Sequence, residues 1–199
     1  HTRYIGDWSS DVCSSDLMAR GGIYDQVGGG FARYSTDARW LVPHFEKMLY
    51  DNALLARLGT HLWQATGDAE VRRVVEETLT WAAREMTAPG GAWYASLDAD
   101  SEGDEGRFYV WTPDEIRSVT GADAEACLTA WGVTATGNFE GRNILFVADA
   151  EAAGSPAVAR ARDALYAVRS QRVWPGRDEK LVASWNGLML RAMAEAGRI

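Results

Sequence analysis

The 199-residue chain is acidic, with a formal net charge of −8 and no block of lysine or arginine. This argues against nucleic acid and anionic membranes, both of which need clustered positive charge. No apolar run approaches the roughly 20 residues that span a bilayer, and two cysteines without a CxxC spacing support neither a disulfide framework nor a zinc site.

The first residues stand apart. DWSSDVCSSDL, Asp7 to Leu17, is residue for residue one reading frame of a sequencing adapter, so His1 to Leu17 are expected to be a foreign or disordered tail. Cys13 goes with it and leaves Cys127 alone, which makes a reducing, cytoplasmic compartment the default. Residues 18–199 then form one domain or most of one.

GGIYDQVGGGFARYSTDARW, 21–40, sets glycines among Tyr24, Phe31, Tyr34 and Trp40. Such a segment lets backbone approach a ligand while aromatic faces hold a ring, or it marks a tight turn. GGG lacks the GxGxxG spacing of a dinucleotide site. The next stretch keeps helical periodicity from Pro43 to about Trp63, with proline at the first helical position. On that expected helix His44, Lys47 and Asp51 share one face and Glu46 and Tyr50 another. Charge on two faces of the opening turns suits a helix mouth that looks into a cavity, where a neutral imidazole and a carboxylate serve proton transfer. The alternative is structural, with His44 as a cap and Glu46 paired to Arg39. His61, farther along, reads as a packing residue.

A break at Thr66-Gly67-Asp68 precedes a second amphipathic helix, 69–86, with Val71, Val74, Val75, Leu79, Ala82 and Met86 in a stripe, which gives an antiparallel helix hairpin. Two β-like runs, WYASLDAD and GRFYVW, flank the acidic SEGDE. Asp98, Asp100, Glu102 and Gly103 open like an EF-hand loop, but the closing glutamate position is Tyr109, so an EF-hand fails. A divalent cation held in another geometry is the secondary reading, with Arg107 and Arg142 as neutralisers; no cofactor is required. Thr112 and Glu115 make a capping box. Further helices are expected from Ser155 to Arg172 and from Lys180 to the end, where Trp185 and Asn186 would line the same cavity.

The fold class is mostly α, and helix hairpins alternating with long aromatic loops suggest a partial α/α toroid with a small β-hairpin insertion. A plain bundle or solenoid competes. Four blocks, MARGGIYDQVGGGFARYSTDARWLVPHFEKMLYDNALL, DADSEGDEGRFYVWTPDEI, GNFEGRNIL and DEKLVASWNGLML, together resemble a spermatogenesis-associated, thioredoxin-domain-containing protein family from Met18 to Ile199. That resemblance implies a thioredoxin-like domain ahead of an α/α toroid like those of six-hairpin glycosidases and sugar epimerases. It implies too that this chain is a piece of the toroid, whose remainder and thioredoxin-like domain are its partners in the parent. The reading is a carbohydrate-like substrate, isomerised or hydrolysed. His44 or Glu46 would be acid/base, with Asp51, and with Asp98 and Asp100 as opposing carboxylates. Tyr34, Trp40, Trp185 and Asn186 would contact the substrate. The rival is a non-catalytic toroid that positions the thioredoxin-like domain or a protein partner.

Overall fold

The computed structural model describes residues 17–198; apart from Leu17, the expected foreign tail lies outside them. About half of the described chain is helical, and its strands are short antiparallel pairs. No helix among these residues is long and apolar enough to cross a membrane.

The glycine-rich segment leads into β1 (Tyr34–Ser35), which pairs with β2 (Pro43–His44). Asp37 holds the loop between them by accepting from the backbone N–H groups of Arg39, Leu41 and Val42. β3 (Lys47–Met48) pairs with β4 (Ser96–Leu97), and β4 with β7 (Arg177–Asp178). Helix α1 (Leu49–Thr66) therefore begins six residues later than the periodicity predicts. Strands from elsewhere in the chain claim residues 43–44 and 47–48, so tertiary pairing overrides local helical pattern. His44, Lys47 and Asp51 consequently share no helix face.

Gly67, in the left-handed region at φ 71°, ends α1 and donates to the Trp63 carbonyl. Asp68 caps α2 (Ala69–Glu85), completing the expected hairpin; Val74, Val75 and Ala82 are buried as the stripe requires. The acidic stretch is itself a two-residue hairpin, β5 (Asp100–Ser101) against β6 (Asp104–Glu105), with Glu102 and Gly103 both at positive φ as such a turn demands. Its strands lie within the acidic residues instead of flanking them, and 106–109 form turns. The capping box of Thr112 and Glu115 opens α3 (Pro113–Thr120). α4 (Ala124–Ala130), the short α5 (Ala150–Ala153) and α6 (Pro156–Arg169, capped by Ser155) follow. α7 (Ala183–Ala196) starts after β7.

Two larger apolar cores result, beside smaller clusters around Phe45 and Tyr24. One gathers Trp111, Ile116, Leu128, Trp131, Leu145 and Leu165 with Cys127; the other gathers Leu49, Trp81, Ala82, Met86, Leu97 and Met189. Between them lies a buried ion cluster. Asp25, 7% exposed, takes both Arg169 guanidinium nitrogens at 2.8 Å and the Lys47 ammonium at 2.8 Å, while Lys47 also donates to the Gly29 carbonyl. Burial opposes the charge on Asp25, but Arg169 and Lys47 hold its carboxyl far below the usual range. A Cβ on Gly28 would sit 2.1 Å from the Arg169 guanidinium, so only glycine lets the backbone pass there.

Candidate functional site

Two strands of the β3-β4-β7 sheet each feed a helix, and those helices lie side by side. Tyr50 near the start of α1 packs on Trp185 near the start of α7, with ring centroids 4.8 Å apart. Farther along, Arg57 of α1 reaches Glu195 of α7 at 2.8 Å. The two helices therefore run parallel, α2 returns antiparallel to α1, and the N-termini of α1 and α7 open at the same end.

Each start is fastened by an asparagine at the fourth helical position. Asn52 accepts from the Phe31 N–H at 2.7 Å and donates to the carbonyls of Phe31 and Met48, both at 2.9 Å. Asn186 accepts from the Trp93 N–H at 2.7 Å and donates to the carbonyls of Trp93 at 2.9 Å and Val182 at 3.2 Å. Each residue ties its own helix start to the two backbone groups of one extended residue. Asn186, expected as a lining residue, thus spends its amide on backbone.

Around this mouth stands a polar cluster. Arg33 pairs with Glu46 at 2.9 Å. His44 stacks on Tyr34 at 5.1 Å, places Nδ1 2.8 Å from Glu105 and Nε2 3.8 Å from Glu46. The acidic hairpin and the His44–Glu46 stretch therefore meet. Carrying the Lys47–Leu97 register one residue onward sets Glu46 level with Asp98, and Asp100 lies directly opposite Glu105. Asp98 and Asp100 are exposed at the rim; Asp98 accepts from the Ala99 N–H at 2.7 Å. Arg107 neutralises Glu102 and Asp104 in the turn, whereas Arg142 is drawn away to Glu115 at 3.2 Å.

Asp51, the third residue of α1, differs from the other carboxylates. Its Oδ2 is buried and has no hydrogen-bond partner. Burial raises its pKa above the ordinary aspartate value, Arg33 and Tyr50 pull the other way, and the charge of Glu46 adds to the rise. Glu46, salt-bridged to Arg33, and Asp51 thus sit close together in unlike surroundings. Trp40 occupies the far loop of the β1-β2 hairpin at φ 60°, where its carbonyl accepts from the Ile23 N–H, and nothing ties its side chain to this cluster. His61 is exposed and bonds Glu195 at 3.0 Å instead of packing. Arg33, Tyr50 and Glu105 escape the sequence reading as site residues. Tyr50 alone carries a local signal, its place beside Asp51. The buried Asp25 cluster offers no rival site, because its adjoining cavity is about 30 Å³, room for a single water.

No protein-family model matches the chain. Over 92% of its length it is 35% identical to a human protein, and over 91% it is 33% identical to the mouse counterpart; both carry one name. The chain resembles spermatogenesis-associated protein 20. An uncharacterised Caenorhabditis elegans protein is 29% identical over 91% of the chain. The chain spans 28% of the human and mouse spermatogenesis-associated protein 20 and 30% of the worm protein, under a third of each. A match to spermatogenesis-associated protein 20 of this extent takes in the segment from Arg33 to Glu105, and with it the polar cluster.

Proposed function

We propose that the mouth between the starts of α1 and α7, closed on one side by the acidic hairpin, binds a carbohydrate-like substrate and performs acid/base chemistry on it. The observation that carries this reading is the orphaned, buried oxygen of Asp51 beside the Tyr50–Trp185 pair. Aromatic faces suit the apolar face of a sugar ring. A carboxyl whose pKa is raised by burial is suited to give up a proton as an acid, and a second carboxylate beside it is suited to take one as a base. In a hydrolytic version Asp51 gives its proton to the departing glycosidic oxygen, water attacks the anomeric carbon, and Glu46 takes the proton that water loses. In an epimerising version the same pair removes and returns a carbon-bound proton. Tyr34 and His44 form the outer wall, and Asp98 and Asp100 the rim.

The parallel α1 and α7, with α2 antiparallel to α1, fit part of an α/α toroid of the six-hairpin glycosidase type. That likeness is one of architecture and lends only analogy to the chemistry. In the parent, the rest of the toroid and a thioredoxin-like domain would complete the molecule, in the cytoplasm. The scaffold reading is favoured by one observation: His44, Glu46 and Asn186 all have protein partners.

The test uses the full-length parent with a panel of neutral mono- and oligosaccharides, read by NMR for new reducing ends or epimers. Turnover reduced about 100-fold or more in Asp51→Asn and Glu46→Gln, with melting retained, is the expected result. Turnover unchanged from the parent protein in both variants, or neither binding nor turnover of any sugar, overturns the enzyme in favour of the scaffold.

A further inference from the structure

Away from the mouth, where α2 begins beside the far end of α1, a cleft of about 360 Å³ opens between the first turn of α2 and the α5–α6 segment. It lies on the seam between the two larger cores, and both its place and its size suit one small ligand. Its floor is Gln26, Trp131 and Val158, none more than 5% exposed. The Gln26 amide nitrogen donates to the carbonyls of Ala19 at 3.0 Å and Gly21 at 3.3 Å, which fixes the orientation of the amide. Its Oε1 accepts from no group among the described residues. An acceptor so placed is costly unless water or a ligand brings it a donor.

The charged wall of the cleft is unbalanced. Arg73 and Arg162 both line it, and both bind one carboxylate, Glu77, which also takes the Tyr24 hydroxyl at 2.6 Å. Glu70, the acid that lines the cleft with them, is 4.0 Å from Arg73 and pairs with Arg20 at 2.7 Å. One glutamate between two guanidinium groups leaves a positive charge on this wall, with N–H donors beyond those spent on Glu77. We infer that the cleft binds a small monocarboxylate with an apolar body and a hydroxyl group, a ligand of the apolar hydroxy-acid type. Its carboxylate takes charge-assisted hydrogen bonds from Arg73 and Arg162, its hydroxyl donates to Gln26 Oε1, and its apolar body covers Trp131 and Val158. A phosphate ester suits the wall less well, because it brings nearly two negative charges to one positive. The site shares no residue with the mouth, and its occupancy does not depend on the chemistry there.

Titration of the protein with 3-phenyllactate, followed by calorimetry and amide NMR, tests the inference. Saturable binding is expected, with shifts concentrated at residues 26, 73, 131, 158 and 162. Exchanging the carboxylate for a CH2OH group, in 3-phenylpropane-1,2-diol, should weaken binding roughly tenfold or more. Removing the hydroxyl, in 3-phenylpropanoate, should weaken it about fivefold. Ala159→Trp, at an exposed position on the wall, should abolish binding while the spectrum otherwise keeps its dispersion, and Arg73→Met should weaken binding about tenfold. Absence of saturable binding overturns the inference. So does binding of the diol or of 3-phenylpropanoate as tight as that of 3-phenyllactate, or binding that Ala159→Trp leaves unchanged.

Discussion

The starts of α1 and α7 are built alike and charged differently. Both follow a Glu-Lys pair, Glu46-Lys47 and Glu179-Lys180, and both are clamped by an asparagine. Yet Lys47 is 2% exposed and bonded to buried Asp25, whereas Lys180 is 77% exposed and pairs with Asp178 at 3.0 Å. At the third helical position one start carries Asp51 and the other Trp185. The same scaffold is thus used twice, once anchored in the interior with a carboxylate at its mouth and once open to water with an aromatic face. A site that needs an acid and a flat wall gets them from two copies of one device.

That contrast predicts its largest effect at the lysines. Lys47→Ala removes one of two cations on Asp25 and leaves buried polar groups unpaired, and should cost roughly 3–5 kcal/mol in chemical denaturation. Lys180→Ala should stay within about 0.5 kcal/mol. Equal losses would mean that the two starts are equally anchored. The clamps come next. Asn52→Ala strands the buried N–H and carbonyl of Phe31 and should cost about 2–4 kcal/mol, against about 1–2 for half-buried Asn186→Ala. A reversed order would show that α7, not α1, organises the sheet.

The smallest effect sharpens the difference at the third position. Because burial raises the pKa of Asp51 in the folded chain, its ionisation opposes folding. The penalty is fully present above the folded pKa, shrinks as pH falls through it, and is gone below the unfolded value near 3.8. Asp51→Asn should therefore melt higher than the parent at pH 7, with the gap closing on acidification into that range. A gap that is constant with pH would remove titration of Asp51 as its cause.

What was legible in the sequence was local. The α1-α2 hairpin, the capping box at Thr112 and the helix over 156–169 follow from periodicity and cap chemistry that act within a few residues. The start of α1 was illegible, because the strands that hold Pro43–His44 and Lys47–Met48 come from elsewhere, Ser96–Leu97 lying about fifty residues on. Lys47 reads as a helix-face charge for the same reason; its partner Asp25 lies 22 residues before it, and Arg169, the second cation on Asp25, 122 after it, and no spacing rule joins them. At the site, the expectation sets Glu46 and Asp51 opposite Asp98 and Asp100 on chemical grounds, whereas the contact that the fold makes is His44 with Glu105, which no spacing signals. Nor is the singularity of Asp51 legible, since an orphaned oxygen is a property of packing.

Cys127, wholly buried in the core that holds Trp111 and Trp131, gives the molecule a built-in reporter. Burial, helped by the nearby charge of Asp123, pushes its thiol up to about 11. Near neutral pH it is almost entirely un-ionised and out of reach, so an alkylating reagent can find it only when that core opens. With Cys13 replaced by serine, the speed of labelling at low denaturant would clock breathing of this half of the protein separately from the half that carries the helix mouth.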